Sequence, residues 1–493
     1  MTVPAAYELV ASVTELQARL AKHIAAGWRL ADLFGTARGD GLLLTALLAG
    51  PDGIAALDAL VPAGHGSYPA LTPLVGSAFW YEREIHDLFG VVPDGHPRLE
   101  PLILPTGSAE LPRPGTSGGP ATIDPDPGVL PRHAVGPGLF TIPHGPVRSG
   151  VVESIEYLVE TPGEDIPHLN LRVFYKHRGI EKRFEGMPPG DGVLLAERTE
   201  GIASVAHALA YCQAVESMAG TQVPWAAALV RTLHAELERL ACHLDVIVRL
   251  ADGAGLSVAT ARFGWHKEHV LRLVGKACGS RFGRGVVVPG GVTARPDPAE
   301  MLAAVGVLDQ QITADIKLLM GTASFLDRLR RTGPLAPERA AEHGALGPVG
   351  RASGVRDDDR QDRPYAAYGS LAVAVSSRQD GDALARLEVR VDEIASSFHL
   401  LRQVADELAE AAGGPLRVDC EPDAGRAAGW AEAPQGEVLY EVRVTGGLIT
   451  RCRARSASFH NLVLMHEVFT GDILTDFPFI EASFGLSVAG VAG

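Results

Sequence analysis

The chain is poor in cysteine: five thiols stand among 493 residues, and the nearest two, Cys212 and Cys242, are thirty positions apart. No CxxC or CxH pair occurs, which excludes zinc-knuckle and cluster-binding spacings. An odd number of scattered thiols suits a reducing compartment and buried structural cysteines. Positive charge is also short: 44 Lys and Arg face 59 Asp and Glu, for a net charge of -15. That excludes a nucleic-acid surface and charge-driven adhesion to anionic lipid, but not docking on other subunits. Long apolar runs are missing too. The run "GLLLTALLAG" falls far short of the ~20 residues of a spanning helix, and "MTVPAAYELVASVTELQARL" has no basic region followed by an apolar core. A soluble chain without a secretory signal is expected. There are no internal repeats and no dinucleotide fingerprint. The Gly-rich "GVVVPGG" follows a helix and lacks Lys-Ser/Thr, so it is not a phosphate loop.

What remains is ordinary globular material, 46% hydrophobic and 21% charged, and long enough for two or three domains. Residues 1–105 form a small α/β domain by pattern: a helical stretch ending near Gly27, then apolar strand segments, then the charged aromatic helix "FWYEREIHDLFG" stopping at Gly90. Residues 106–140 are dense in Pro, Gly and Ser and predict a linker. Over 141–493 a short β element precedes helices at roughly 197–220, 224–251, 262–279, 298–331 and 380–413. "GEVLYEVRVTGGLITRCRARS" predicts a hairpin turning at Gly446–Gly447. The fold class is α+β: an N-terminal α/β docking domain, then a large, mainly α-helical domain with a small β portion.

Two motifs carry more. "FWYEREIHDLFG" sets Glu82, Arg83, Glu84 and Asp87 among aromatics on one helix. Its chemistry alone fits an amphipathic helix with i,i+3 and i,i+4 ion pairs. "YKHRGIEK" sets His177, Arg178, Glu181 and Lys182 on one turn, which fits either a solvated loop or an electrostatic clamp for a neighbouring subunit.

The order ERE-x-x-DLFG-x-x-x-x-x-HP resembles the 30-kDa-type subunit of respiratory complex I, a docking domain and not a catalyst. "YKHRGIEK", "AELERLACHL" and "GSRFGRGVVVPGGV" together resemble the large subunit of membrane-bound, energy-converting [NiFe] hydrogenases such as formate hydrogenlyase. That subunit is a relative of the 49-kDa-type subunit of complex I. The resemblance covers nearly all of 141–493, and the formate hydrogenlyase large subunit is similarly fused.

In the hydrogenases the stretch matching "ERTEGIASVAH" is an Arg-x-Cys-Gly-x-Cys loop, and a second cysteine pair closes a nickel–iron site near the C-terminus. Four thiolates suit such a soft centre. Here Arg198, Gly201, Ile202, Ala206 and His207 match the family. The cysteine positions fall on Glu200, Ala203, Gly485 and Val488. The resemblance thus implies a vestigial cavity at Arg198, Gly201, Ala203, Gly485 and Val488, no metal, and Glu200 and His207 as proton carriers. Cys212 is expected in the core rather than as a substitute ligand. The quinone-contacting positions of complex I fall on Ser149 and Gly201 and do not match, whereas Glu200 stands where complex I has an acidic residue.

Other candidates stay open. Glu153 is a proton-relay carboxylate or a strand-end glutamate. Arg351, Asp357, Arg360 and Asp362 form a buried ion network or a solvated charge run. Arg453 and Arg455 support the C-terminal loop. The resemblance implies interface roles for Glu82, Arg83, Asp87, His177, Arg178, Glu181 and Lys182. It also implies an iron–sulfur cluster on a small partner subunit, antiporter-like membrane partners, and no cofactor on this chain. The expected place is the cytoplasmic face of the membrane, held there by partners. The expected function is electron transfer coupled to ion movement in an oxidoreductase complex; the alternative is a purely structural assembly scaffold, with an active [NiFe] hydrogenase or a quinone-reducing subunit ranked behind it.

Overall fold

The computed structural model describes residues 6–51, 53–103, 136–148, 153–411 and 413–493. Most of the expected linker at 106–140, and Ser149, lie outside the described residues.

The N-terminal module is built on a four-stranded sheet. Strand β1 (Ala6–Val10) leads into helix α1 (Val13–Ala25), capped by Ser12, whose side chain accepts the Glu15 N–H at 3.2 Å. Strands β2 (Arg29–Arg38), β3 (Gly41–Gly50) and β4 (Gly53–Pro62) follow as a meander, in the order β1-β4-β3-β2 with β1 parallel to β4. The apolar run read from the sequence is β3. It is apolar without alternation because both its faces are covered. Leu42, Leu44, Ala46 and Leu48 pack into a core with α1, while Leu47 and Ala49 pack into the core of the second module. Strand β5 (Ser67–Pro69), helix α2 (Phe79–Phe89) and strand β6 (Val92–Asp94) complete the module, and Gly90 ends α2 at φ 75°.

The second module opens with a three-stranded sheet of β7 (Phe140–His144), β8 (Glu156–Thr161) and β9 (His168–Arg172). Short helices α3 (Ile180–Phe184) and α4 (Pro189–Ala196) lead to α5 (Ser204–Ala219). The helix expected from 197 starts seven residues later, because 197–203 is a turn between α4 and α5. Helices α6 (Trp225–Gly253) and α7 (Ser257–Cys278) pack on each other, followed by the two-residue strands β10 (Val287–Val288) and β11 (Gly291–Val292). The helix expected over 298–331 breaks at Gly321 and Thr322 into α8 (Pro298–Met320) and α9 (Ala323–Leu329). Three short helices, α10 (Pro337–Glu342), α11 (Gly347–Ala352) and α12 (Asp359–Asp362), precede α13 (Ala383–Glu410), which Asp382 caps through the Ala385 N–H at 2.8 Å. The C-terminal sheet is an antiparallel meander of β12 (Gly425–Ala433), β13 (Gly436–Thr445) and β14 (Leu448–Arg455). Its β13–β14 turn falls at Gly446–Gly447, whose φ values of 58° and 71° are the left-handed pair that a two-residue hairpin requires. Helices α14 (Ala457–Leu462), α15 (Met465–Val468) and α16 (Phe477–Phe484) end the ordered elements.

The open reading of Arg351, Asp357, Arg360 and Asp362 resolves into two parts. Arg351 contacts Glu393 at 2.9 Å, Asp358 at 3.2 Å and Glu432 at 2.9 Å, all nearly fully buried. Arg360 joins Asp358 at 2.7 Å to Glu236 of α6 at 3.3 Å. Asp357 instead reaches across the modules to Arg29 at 2.8 Å, and Asp362 is exposed.

Three residues expected at a subunit interface are internal. Glu82 accepts the N–H groups of Leu71 and Thr72 at 2.8 and 2.9 Å and the Thr72 hydroxyl at 2.6 Å. Arg83 donates to the carbonyls of Glu100 and Pro101 at 2.7 and 2.9 Å. Asp87 accepts the N–H groups of Leu102 and Ile103 at 2.7 and 2.8 Å. Backbone groups inside the module take up these charges. Glu82→Ala is therefore expected to lower stability by about 3 kcal/mol, since two buried N–H groups lose their acceptor; chemical denaturation of the purified chain checks this.

Candidate functional site

The turn between α4 and α5 carries Thr199 and Glu200 inward. Pro188 and Pro189 start α4, and the helix ends at Ala196; the chain then turns through Gly201 and re-enters a helix at Ser204. One turn into α5, His207 points back at Glu200. Both side chains are 1% exposed. Glu200 Oε2 lies 3.1 Å from His207 Nε2, and His207 Nδ1 lies 2.9 Å from the Tyr440 phenol of β13. Tyr440 continues to the Thr199 hydroxyl at 3.2 Å, and the other Glu200 oxygen accepts from Ser458 Oγ at 3.2 Å. The result is a continuous chain, Thr199–Tyr440–His207–Glu200–Ser458, in which every member can give and take a proton. Burial holds the Tyr440 phenol well above its ordinary pKa, so it enters the chain protonated.

The chain continues structurally to the C-terminal loop. The Ser487 N–H donates to Ser458 Oγ at 3.1 Å, and Ser487 Oγ donates to Glu153 at 2.7 Å. Glu153 also accepts the Val488 N–H. Glu153 thus anchors the loop beside Glu200. The loop lies close over the pair: a Cβ built on Gly490 would come within 2.6 Å of Glu200 Oε2.

The remaining candidates fall in several places. Ala203 is buried in the core, and its carbonyl accepts the His207 N–H. Gly485, at φ 63°, is wedged where a Cβ would meet Val246 at 2.7 Å and the Arg390 guanidinium at 2.8 Å. Arg198 does not join the pair: its half-exposed guanidinium turns outward to Glu197 and to the Leu194 carbonyl at 2.6 Å. Gly201 is exposed and lines a different cavity, of about 270 Å³, with His234, Glu238 and Cys242 of α6. Cys212 is fully buried. His177 and Arg178 are tied to the C-terminal loop, His177 Nδ1 to the Ala492 carbonyl at 2.8 Å and Arg178 to the Ala489 carbonyl at 2.7 Å; Arg178 also donates to the Thr199 carbonyl at 2.6 Å. Glu181 pairs with Arg451 at 3.0 Å and Arg453 at 3.1 Å. Of the "YKHRGIEK" residues expected at an interface, Lys182 is the solvent-facing cation, its side chain 78% exposed.

Sequence reasoning found Glu200 and His207 but missed Tyr440, Thr199 and Ser458. A cavity of about 650 Å³ lies beside them, lined by Thr199 and His207 on one side and by Glu84, Glu181 and Arg455 on the other. Among the described residues, no group of three or more His, Cys, Asp or Glu side chains could hold a metal ion, and no helix is long and apolar enough to cross a membrane.

Comparison with known proteins places both modules. The family model of the 49-kDa subunit of respiratory-chain NADH dehydrogenase matches residues 255–422 and 415–492. The 30-kDa-subunit model matches 29–114, and a nickel-dependent hydrogenase model matches 178–248. Formate hydrogenlyase subunit 5 of Escherichia coli is 29% identical over 444 residues, which is 86% of this chain and 76% of that protein. An NADH-quinone oxidoreductase subunit of Streptomyces coelicolor is 32% identical over 332 residues, 64% of this chain and 85% of that protein. Among solved structures, a chain of the membrane-bound sulfane sulfur reductase, an archaeal respiratory membrane complex, superposes with a TM-score of 0.69 at 24% identity. That match covers 73% of this chain and 100% of the other, so the fold is shared.

Glu238 supplies a test of the α5 start. Its carboxylate accepts the Val205 and Ala206 N–H groups at 2.7 and 3.1 Å, yet burial pushes it from 4.5 up to about 8. A carboxyl raised in the folded state stabilises fully below its unfolded pKa and loses that contribution as pH rises. Wild-type stability is expected to fall, relative to Glu238→Gln, between pH 4.5 and about 8; denaturation midpoints across that window check it.

Proposed function

Because the chain belongs to the 49-kDa-subunit family of respiratory-chain NADH dehydrogenases, with a 30-kDa-subunit module ahead of it, we propose that it is the large subunit of a membrane-associated oxidoreductase complex. In this reading it takes part in electron transfer coupled to ion translocation. It stands on the cytoplasmic face through partner subunits: an iron–sulfur small subunit that carries the cluster, and antiporter-like membrane subunits. The chain itself binds no cofactor. The positions assigned to nickel thiolates hold one carboxylate and three residues without a side-chain donor atom, Glu200, Ala203, Gly485 and Val488, and such a set does not fit a soft metal pair.

The observation that carries the reading is the Thr199–Tyr440–His207–Glu200–Ser458 chain. A purely structural subunit has no need of a buried carboxylate–imidazole pair joined to hydroxyls that open on a cavity. We assign Glu200 and His207 the role of proton carriers. Turnover of the complex with Glu200→Gln tests this. Activity is expected to fall about a hundredfold, the lower range for loss of a proton-transfer group, with the pH profile altered. Unchanged turnover and profile would remove Glu200 from the mechanism and favour the scaffold. In that case Lys182→Glu, on the exposed face, should break co-purification with the small subunit while leaving the chain folded.

A further inference from the structure

The cavity that His207 and Thr199 reach from the second module is closed on its far side by the N-terminal module. Glu84 of α2 lines it, together with Glu181, Arg451 and Arg455. Behind Glu84 stands Asp32 of β2, 1% exposed. Arg453 contacts all three carboxylates: Asp32 at 3.0 Å, Glu84 at 2.8 Å and Glu181 at 3.1 Å. Arg455 adds Glu84 at 2.8 Å and Asp32 at 3.5 Å, and Arg451 adds Glu181 at 3.0 Å. Tyr81 of α2, His177, Tyr440 and Cys452 are further titratable groups that bear on this cluster.

The carboxylates are not equivalent. Burial pushes Asp32 up to about 7 and raises Glu84, with Arg453 opposing and the neighbouring acids reinforcing the rise. Burial works against Glu181 as well, but Arg453 and Arg451 outweigh it and hold that carboxyl low. Two acids of one module, both raised by burial and Asp32 to about 7, thus stand across the cavity from the mouth of a hydroxyl–imidazole chain in the other.

We propose that this cavity is a proton chamber: Asp32 and Glu84 of the N-terminal module hold an exchangeable proton that reaches Glu200 through Thr199, Tyr440 and His207. The proposal rests on Glu200 and His207 being proton carriers. In the transfer, the carboxylic O–H of Glu84, which lines the cavity, breaks and its proton passes to water there; at about 650 Å³ the cavity has room for several molecules. A proton arrives on Thr199 Oγ as the Thr199 hydroxyl proton moves to the Tyr440 oxygen. The Tyr440 proton moves to His207 Nδ1, and the proton on His207 Nε2 moves to Glu200. The acid pair gains one negative charge, Glu200 loses one, and no electrons move. In this scheme the N-terminal module supplies working groups as well as contacts.

The test uses the full-length chain and two readouts. Infrared titration should show a protonated carboxyl in the folded protein that ionises near pH 7, absent in Asp32→Asn and lost or shifted in Glu84→Gln. If Asp32→Asn fails to fold, Glu84→Gln alone decides this arm. Exchange of the His207 ring proton with solvent, followed by NMR, should slow several-fold in Thr199→Val and recover in Thr199→Ser. Glu238 and Glu432, also raised to about 8 and about 7, give bands that neither substitution should move; the lack of any further band near neutrality that Asp32→Asn or Glu84→Gln changes overturns the chamber, and ring-proton exchange unchanged in Thr199→Val overturns the route. If both readouts behave as expected while Glu200→Gln leaves turnover intact, the chamber stands and the proton-carrier role in turnover fails.

Discussion

One guanidinium ties together most of what surrounds the site. Arg453, on β14, holds Asp32 of β2, Glu84 of α2 and Glu181 of α3, and lies 5.3 Å from the centre of the Phe34 ring. Four elements from two modules therefore meet on a single cation that is 2% exposed. Removing it would leave buried Asp32 and Glu84 with Arg455 alone and Glu181 with Arg451 alone, a larger penalty than the net worth of any one pair. Because α3 leads directly into α4 and the Thr199–Glu200 turn, the placement of that turn depends on Glu181 being held. The ion cluster works as a datum from which that turn is placed.

A second cluster, around Arg351, differs in character. Its acids Glu393, Asp358 and Glu432 are answered by Arg351, Arg360 and Arg239, and it sits between α6, α13 and β12. Glu393 is driven well below its ordinary pKa: burial alone would raise it, but Arg351 and the hydrogen bond from His243 prevail. Such a group keeps its charge across the physiological range and serves rigidity. The Asp32–Glu84 cluster also sets three arginines against three acids, but it sits beside an open volume, and its Asp32 is raised to about 7 by burial. One fold thus contains an ion network enclosed in the core and another that borders the cavity and the hydrogen-bonded chain.

Much of the architecture is legible in the residues. The apolar run of β3, the glycine pair of the β13–β14 turn and the long apolar helix α6 all announce themselves, because local pattern and burial agree there. Glu200 and His207 are legible through the resemblance, being seven positions apart on one loop and helix. Tyr440 is not, since it joins His207 from a strand 233 residues away. The charges of "EREIHD" mislead for a related reason. A carboxylate that accepts from its own chain's amides looks, in sequence, the same as one awaiting a partner subunit, and the amides that Asp87 serves lie fifteen and sixteen residues on. The break between α8 and α9 is hidden because the apolar spacing carries on past Gly321.

The packing at Gly485 limits what that position can carry. A side chain at that position would need left-handed backbone and would collide with Val246 and with Arg390, whose guanidinium is bound to the carbonyls of Ser483 and Phe484. Arg390 fills that volume and spends its donors on the end of α16. A side chain placed at Gly485 would have to displace that guanidinium or the Val246 methyl before it could reach anything else.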